Sequence, residues 1–215
     1  MTKKPRTRTP SAGMESALLE AAAGILETEG PDALSVRRIA AAAGVAPMGV
    51  YNHFDSKSGI VDALFIQGFE RLAAGINAAA EIADPYEALR ESGHRYRALA
   101  LAHPMVYQLM FLRAVPGYEA SDHALEIAGA AFNSLVASVQ RAMAAGVIVD
   151  GPPDVTARLI WASIHGWVSL ELLGIGGVDD QAAGFDRVCR SMLAGLSPEA
   201  APLIAERDAA SAALT

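Results

Sequence analysis

Apolar residues along this chain recur at steps of three and four, and nowhere alternate singly over the length of a strand. Between residues 14 and 29 the positions Leu18, Ala21, Ala22, Ile25 and Leu26 form one helical face, which Gly30-Pro31 closes. Ser35 can cap a short helix over 36–42 by accepting from free backbone N–H groups. Gly44 supplies a turn, and a second short helix follows over 46–52 with Pro47 in its first turn. Asp55 or Ser56 caps a longer helix that reaches Ala80 and carries Ile60, Leu64 and Phe69. Beyond Asp84-Pro85, helices are predicted at 86–102, 104–113, 122–145, 154–174 and 181–196. Pro104, Pro116, Gly146, Pro152, Pro153 and the glycines of 174–177 punctuate them. The 122–145 helix carries Leu125, Ala128, Phe132, Leu135, Val139 and Met143 on one face. The run 147–149 is too short to read as a strand, so the fold class is all-α.

Composition narrows the class. Of the 215 residues 52% are hydrophobic and 19% charged, enough to bury a core. No stretch of about 20 uncharged apolar residues spans a bilayer. The basic first ten residues lack the apolar run and cleavage site of a signal peptide. The single cysteine, Cys189, excludes an internal disulfide and a multi-cysteine metal site. The reading is a cytoplasmic protein with no membrane partner. The net charge of −7 argues at first against nucleic acid, but it is unevenly spread. Residues 1–60 carry seven basic against six acidic residues, and the remainder ten against eighteen. An acidic body with a basic start can still bind DNA, because screening limits each charge to about 8–10 Å.

Residues 34–57 read LSVRRIAAAAGVAPMGVYNHFDSK. Two short helices flank a glycine turn. Ile39, Ala40, Val45, Val50 and Phe54 are spaced to pack the pair on the first helix, and the small run 40–43 permits close approach. This is a helix-turn-helix layout, whose second helix enters a major groove. The capping Ser35, Ile39-Ala40, Gly44-Val45, Tyr51-x-His53-Phe54 and Lys57 stand at fixed spacing. On these residues the 14–64 segment resembles the N-terminal domain of TetR/AcrR-family transcriptional regulators. The resemblance implies helices one to three as the DNA-binding domain and a helical ligand-binding and dimerisation domain after it. It also implies a homodimer on a palindromic double-stranded operator, acting as a repressor until a small molecule binds.

Chemistry and resemblance together assign candidate DNA contacts. Ala46, Pro47, Met48 and Gly49 open the recognition helix; being small or apolar, they suit thymine methyls better than bidentate base readout. Arg37 and Arg38 are placed to reach phosphates or a base, and Tyr51, Asn52 and His53 carry polar tips. Lys57 stands at a helix N-terminus, where an anion is already favoured. Ser35 either caps only or caps and touches phosphate. Lys3, Lys4, Arg6 and Arg8 lie in a flexible arm, residues 1–13, suited to the minor groove or backbone.

In the C-terminal half, the 154–174 helix is apolar on most faces: Leu159, Ala162, Gly166, Leu170 and Leu173 on one, Trp161, His165, Val168 and Leu172 on another. The 181–196 helix carries Phe185, Val188, Cys189, Met192, Leu193 and Leu196. These two helices are expected to form a two-fold four-helix interface. Trp161-x-x-x-His165-Gly166, with His103-Pro104-x-x-Tyr107-x-x-Met110-Phe111, makes residues 84–196 resemble the WHG-type C-terminal domain of the same family. Tyr96, Tyr107, Met110, Phe111, Trp161 and His165 either line a pocket for a mainly apolar effector or pack the core.

No metal-binding histidine spacing, GxSxG elbow, phosphate loop or dinucleotide turn occurs, so neither an enzyme nor a cofactor or metal site is expected. The expected organisation is the arm to 13, a DNA-binding domain over 14–58, a connecting helix over 56–80, an effector and dimerisation domain over 81–197, and a weakly specified alanine-rich tail over 198–215. The other reading is a helical dimeric interaction module with only non-specific DNA affinity. The recognition helix carries no Arg, Lys, Asn or Gln before Asn52, which leaves that reading open.

Overall fold

The structure, a computed structural model, describes residues 11–175, 177–203 and 206–207. Lys3, Lys4, Arg6 and Arg8 lie outside the described residues. Helices α1 (Ser11–Glu29), α2 (Val36–Ala42), α3 (Pro47–Phe54) and α4 (Lys57–Ala80) are followed by α5 (Pro85–Ala102), α6 (Pro104–Phe111) and α7 (Asp122–Ala144). The last long elements are α8 (Pro153–Leu172) and α9 (Gln181–Gly195). Among the described residues no strand occurs. No helix there is long and apolar enough to cross a membrane.

The helix ends follow local chemistry. Ser35 accepts from the Arg38 amide, Ser56 from Gly59, Ser121 from Ala124 and Asp180 from Ala183, each satisfying a backbone donor left free at a helix start. Of the two candidate caps for α4, Ser56 takes the role. Helix α1 begins at Ser11, three residues before the expected start. A single 3-10 turn at Pro31–Ala33 follows Gly30, whose φ of 82° needs glycine.

Two compact units divide the chain. One joins the residues up to Phe69 with His103–Ile127; the other joins Glu70–Ala102 with the chain from Ala128 onward. The sequence pattern groups 103–127 with the C-terminal helices instead. The core of the first unit holds Leu18, Leu26, Leu34, Ile39, Val50, Ile60 and Leu64, all almost fully buried. Onto it α6 brings Tyr107 and Phe111, whose rings join Phe69 and Phe65 in an aromatic cluster with centroids 4.8–5.3 Å apart. The notch that admits α6 is Gly68, where a Cβ would stand 2.5 Å from the Met110 sulfur. That packing explains why the segment joins the N-terminal helices.

In the second unit α5, α8 and α9 enclose Phe185, Cys189, Ile160, Ile164, Val168 and Leu193. Glycine sets two close approaches: Gly93 faces the Cys189 sulfur, and Gly184 faces the Trp167 ring. Arg97 forks onto Glu171, binding α5 to α8 at 2.5 and 2.8 Å. Asp186 of α9 takes Arg90 and His94 of α5 and also Arg190. Burial alone would raise its carboxyl, but these partners outweigh that and hold it below the usual range. Arg141 of α7 donates to the Ala80 and Ile82 carbonyls, a cation at the C-terminal end of α4. Leu125, expected on the buried face of α7, is 54% exposed, because the face that packs is Ala124, Ala131, Leu135 and Val139.

Candidate nucleic-acid interface

Helices α2 and α3 pack on α1 through Ile39, Ala40, Val50 and Phe54. A turn at Gly44, with φ of 68°, reverses the chain between them. Pro47 occupies the first turn of α3, where its missing N–H costs nothing, and Ala46 precedes it without a side-chain cap. With Val50 and Phe54 turned inward, the opposite face of α3 is left to solvent. Met48 is 64% exposed and Tyr51 48%. Ala46, Pro47 and Asn52 are exposed too, while Gly49 and His53 are half-buried. Gly49 lies against Val45 and the sulfur of Met14, so α3 sits close to its neighbours there.

The chain leaves α3 through Asp55, at φ of 58°, and enters α4 at Lys57. Lys57 is half-buried in the first turn of α4, where the positive end of the helix dipole favours an anion. Ser35, Arg37, Met48, Tyr51 and Asn52 are all exposed. The two arginines of α2 differ. Both are exposed, but Arg38 donates from Nε and Nη2 to the two carboxylate oxygens of Glu29, at the end of α1. Its hydrogen bonds to Glu29 and that carboxylate's charge raise the guanidinium pKa further. Spacing alone places Arg38 beside Arg37 as a phosphate candidate; the pairing with a residue nine positions earlier needs the α1–α2 crossing.

This geometry is matched by family comparisons. Residues 18–64 match the model described as bacterial regulatory proteins, tetR family. Residues 89–192 match the model described as tetracyclin repressor-like, C-terminal domain. The chain is a TetR-family transcriptional regulator. One relative is the HTH-type transcriptional regulator Rv0681 of Mycobacterium tuberculosis, 26% identical over 183 residues, which cover 84% of this chain and 81% of that protein. A solved structure of a protein of unknown function from Rhodococcus sp. RHA1 is 28% identical, with a TM-score of 0.79, covering 91% of this chain and all of that one. The TetR-family regulator PfmR of Thermus thermophilus shares the fold at 20% identity and a TM-score of 0.60, over 83% of this chain and 96% of that one.

The six effector candidates of this TetR-family chain separate into two groups. Tyr96, Trp161 and His165 come together in the second unit. The Tyr96 hydroxyl lies 2.8 Å from His165 Nδ1, and Trp161 Nε1 donates to the same hydroxyl at 3.4 Å. Phe132 of α7 extends the group to a ring 6.2 Å from Trp161, and Arg158 lies over Phe132. Burial lowers the His165 pKa and keeps the ring neutral near pH 7. Tyr107, Met110 and Phe111 belong instead to α6 and the first unit, where Tyr107 and Met110 are buried in the packing around Phe69. The sequence supplies no signal for that split, because both groups carry the same residue types.

Two further residues escape sequence reasoning. Glu27 accepts the backbone N–H groups of Met105 and Val106, and Asp62 accepts from the Tyr118 hydroxyl and from the amide and hydroxyl of Ser121. Burial pushes the Asp62 carboxyl up, but the Ser121 and Tyr118 hydrogen bonds and nearby His123 outweigh it and hold it below its ordinary value. Cys189 is fully buried, and desolvation together with nearby Asp186 pushes its thiol up to about 11, so it is a poor nucleophile.

Proposed function

We propose that this regulator binds a palindromic operator as a homodimer, represses transcription there, and is released by a small, mainly apolar effector. The observation that carries the reading is the solvent-facing surface of α3. Its inner face is packed, while Met48 and Tyr51 stand open to solvent and can enter a groove. Ser35, Arg37, Ala46, Pro47, Gly49, Asn52, His53 and Lys57 complete the proposed contact set. Lys57, Tyr51 and Arg37 serve phosphates, and Met48 serves thymine methyls. Arg38 joins this set only by leaving Glu29.

The dimer is supported by α8. Val155, Leu159 and Leu170 are exposed on it and Leu173 just past its end, with Ala162 and Gly166 between them at steps of three and four. A continuous apolar stripe on a regulator that reads two half-sites fits a second copy of the same chain. The effector is assigned to Tyr96, Trp161 and His165, with Tyr107, Met110 and Phe111 as packing residues. Control then follows from linkage: an effector that prefers the dimer with the wrong half-site separation weakens DNA binding by its affinity difference between the two states. The proposed transmitter is α4.

The test is selection of genomic fragments by the purified protein near physiological salt, followed by anisotropy on the recovered duplex against random competitor. Recovery of one or a few palindromic sites is the expected result. Salt-sensitive, sequence-blind binding would instead favour the interaction-module reading.

A further inference from the structure

Helix α3 reads PMGVYNHF, and Val50 and Phe54 are buried. At about 100° per residue, Met48 and Asn52 each stand about 160° round from Val50, and Asn52 stands the same from Phe54. These two are therefore the outermost side chains of the helix, one turn apart on a single line. Both are exposed. Tyr51 stands about 60° to one side of Met48. Ala46 and Pro47 are exposed as well, but their side chains are short and carry no hydrogen-bonding group.

The two outermost side chains differ in chemistry. Met48 offers a flexible apolar thioether. The Asn52 amide offers a donor edge beside an acceptor edge. It makes no hydrogen bond among the described residues, whereas Arg38 is taken by Glu29. No arginine or lysine stands on α3, so the helix lacks the side chains that read guanine most often.

Base edges in the major groove sort this pair. Adenine sets the N7 acceptor beside the N6 donor, in register with an amide. Guanine sets two acceptors there, so the Asn52 amide oxygen would face O6 with no proton between them. Thymine alone carries a 5-methyl group for an apolar side chain. Four residues of helix rise about 6 Å, which matches one to two base steps of about 3.4 Å each.

We infer that Met48 and Asn52 are the base-reading pair of this protein, Met48 on a thymine methyl and Asn52 on an adenine one or two steps away, in each half-site. The inference rests on the operator reading above and names the bases that site requires. Arg37, Tyr51 and Lys57 on phosphates then set affinity without choosing sequence.

The experiment uses the full-length protein and the duplex recovered by fragment selection, read by anisotropy across a salt series. Uracil replaces thymine, which removes only the methyl group, and 7-deazaadenine replaces adenine, which removes only the N7 acceptor. One position is changed at a time, in both half-sites together. At one thymine, uracil weakens binding about fourfold for each methyl lost. At one adenine, 7-deazaadenine weakens it about fivefold or more for each half-site. Met48→Ala binds the thymine and uracil duplexes equally, and Asn52→Ala the adenine and 7-deazaadenine duplexes equally, because each variant has already lost the contact. Both keep the wild-type salt slope, since neither removes a charge. Should a variant fail to fold, the analogue series on the wild type still decides. Half-sites without such a thymine and adenine, or analogues without effect at every position, overturn the inference, as does a folded variant that stays sensitive to its analogue. A wild-type chain that selects no specific duplex overturns the operator reading and this inference together, whereas the analogue and variant outcomes bear on the inference alone.

Discussion

Arg38 of α2 grips Glu29 of α1 through two hydrogen bonds, 2.5 and 3.2 Å long. Both side chains remain substantially open to water, so the pair contributes little stability by itself. Its effect is on where the guanidinium points. Arg38 is committed to the protein, while Arg37 beside it on α2 is exposed.

Arg38 and Lys57 are therefore expected to behave differently toward DNA. Lys57→Ala should weaken binding to all sequences and flatten the plot of log affinity against log salt by ~0.9 for each phosphate it leaves unneutralised. Arg38→Ala should weaken binding with the slope retained. Titrations from about 50 to 200 mM salt separate the two, and a flattened slope in Arg38→Ala would return that residue to the phosphate-binding set.

The apolar stripe on α8 makes a second expectation. Leu159→Glu or Leu170→Glu places a charge where two copies would meet, and a buried unpaired charge is costly. Dimer affinity should fall at least ~100-fold, equivalent to about 2.7 kcal/mol. Sedimentation of each variant against the wild type reads this directly. An unchanged sedimentation profile would remove α8 from the interface.

His165 predicts a pH dependence. Burial lowers its pKa, so the folded state favours the neutral ring. The unfolded chain, with a pKa of ~6.5, binds the proton more readily. The stability held by neutral His165 is fully present above that value and is lost as the pH falls through it toward the folded pKa. His165→Gln should therefore flatten the dependence of urea midpoints on pH between about 7.5 and 5. A steeper loss in the variant would contradict the assignment.

Glycine at 184 is a packing requirement. A Cβ there would stand 2.5 and 2.6 Å from two carbons of the Trp167 ring, and a rigid indole has little room to give. Gly184→Ala should cost ~1–3 kcal/mol as an overpacked contact between α8 and α9. Gly129 of α7 meets nothing within 4 Å, so Gly129→Ala should instead gain ~0.5–1 kcal/mol of helix stability. Thermal melts of the two variants should move in opposite directions.

Much of this architecture is legible in the sequence. Helical periodicity, capping serines and Gly–Pro breaks locate α2 to α9 to within a few residues, because each signal acts over one or two turns. The motif at 34–57 carries the family, since Ile39, Val50 and Phe54 must pack inward for the helix-turn-helix to form, and their spacing is written in the chain. The split among the aromatic residues is not legible. Tyr107 and Tyr96 look alike in sequence, but Tyr107 rides on α6, which meets α4 at Gly68 through Met110 and Val106.

The sequence by itself determined the helices, the Ser35 cap and the family, because these depend on neighbours a few positions apart. The tertiary structure alone decided which charges and rings meet. Arg38 with Glu29, Glu27 with the start of α6, Asp62 with Tyr118 and Ser121, and Tyr96 with His165 are separated by between nine and 79 residues. Such partners are chosen by helix crossings, and helix crossings are set by the shapes of whole packed faces.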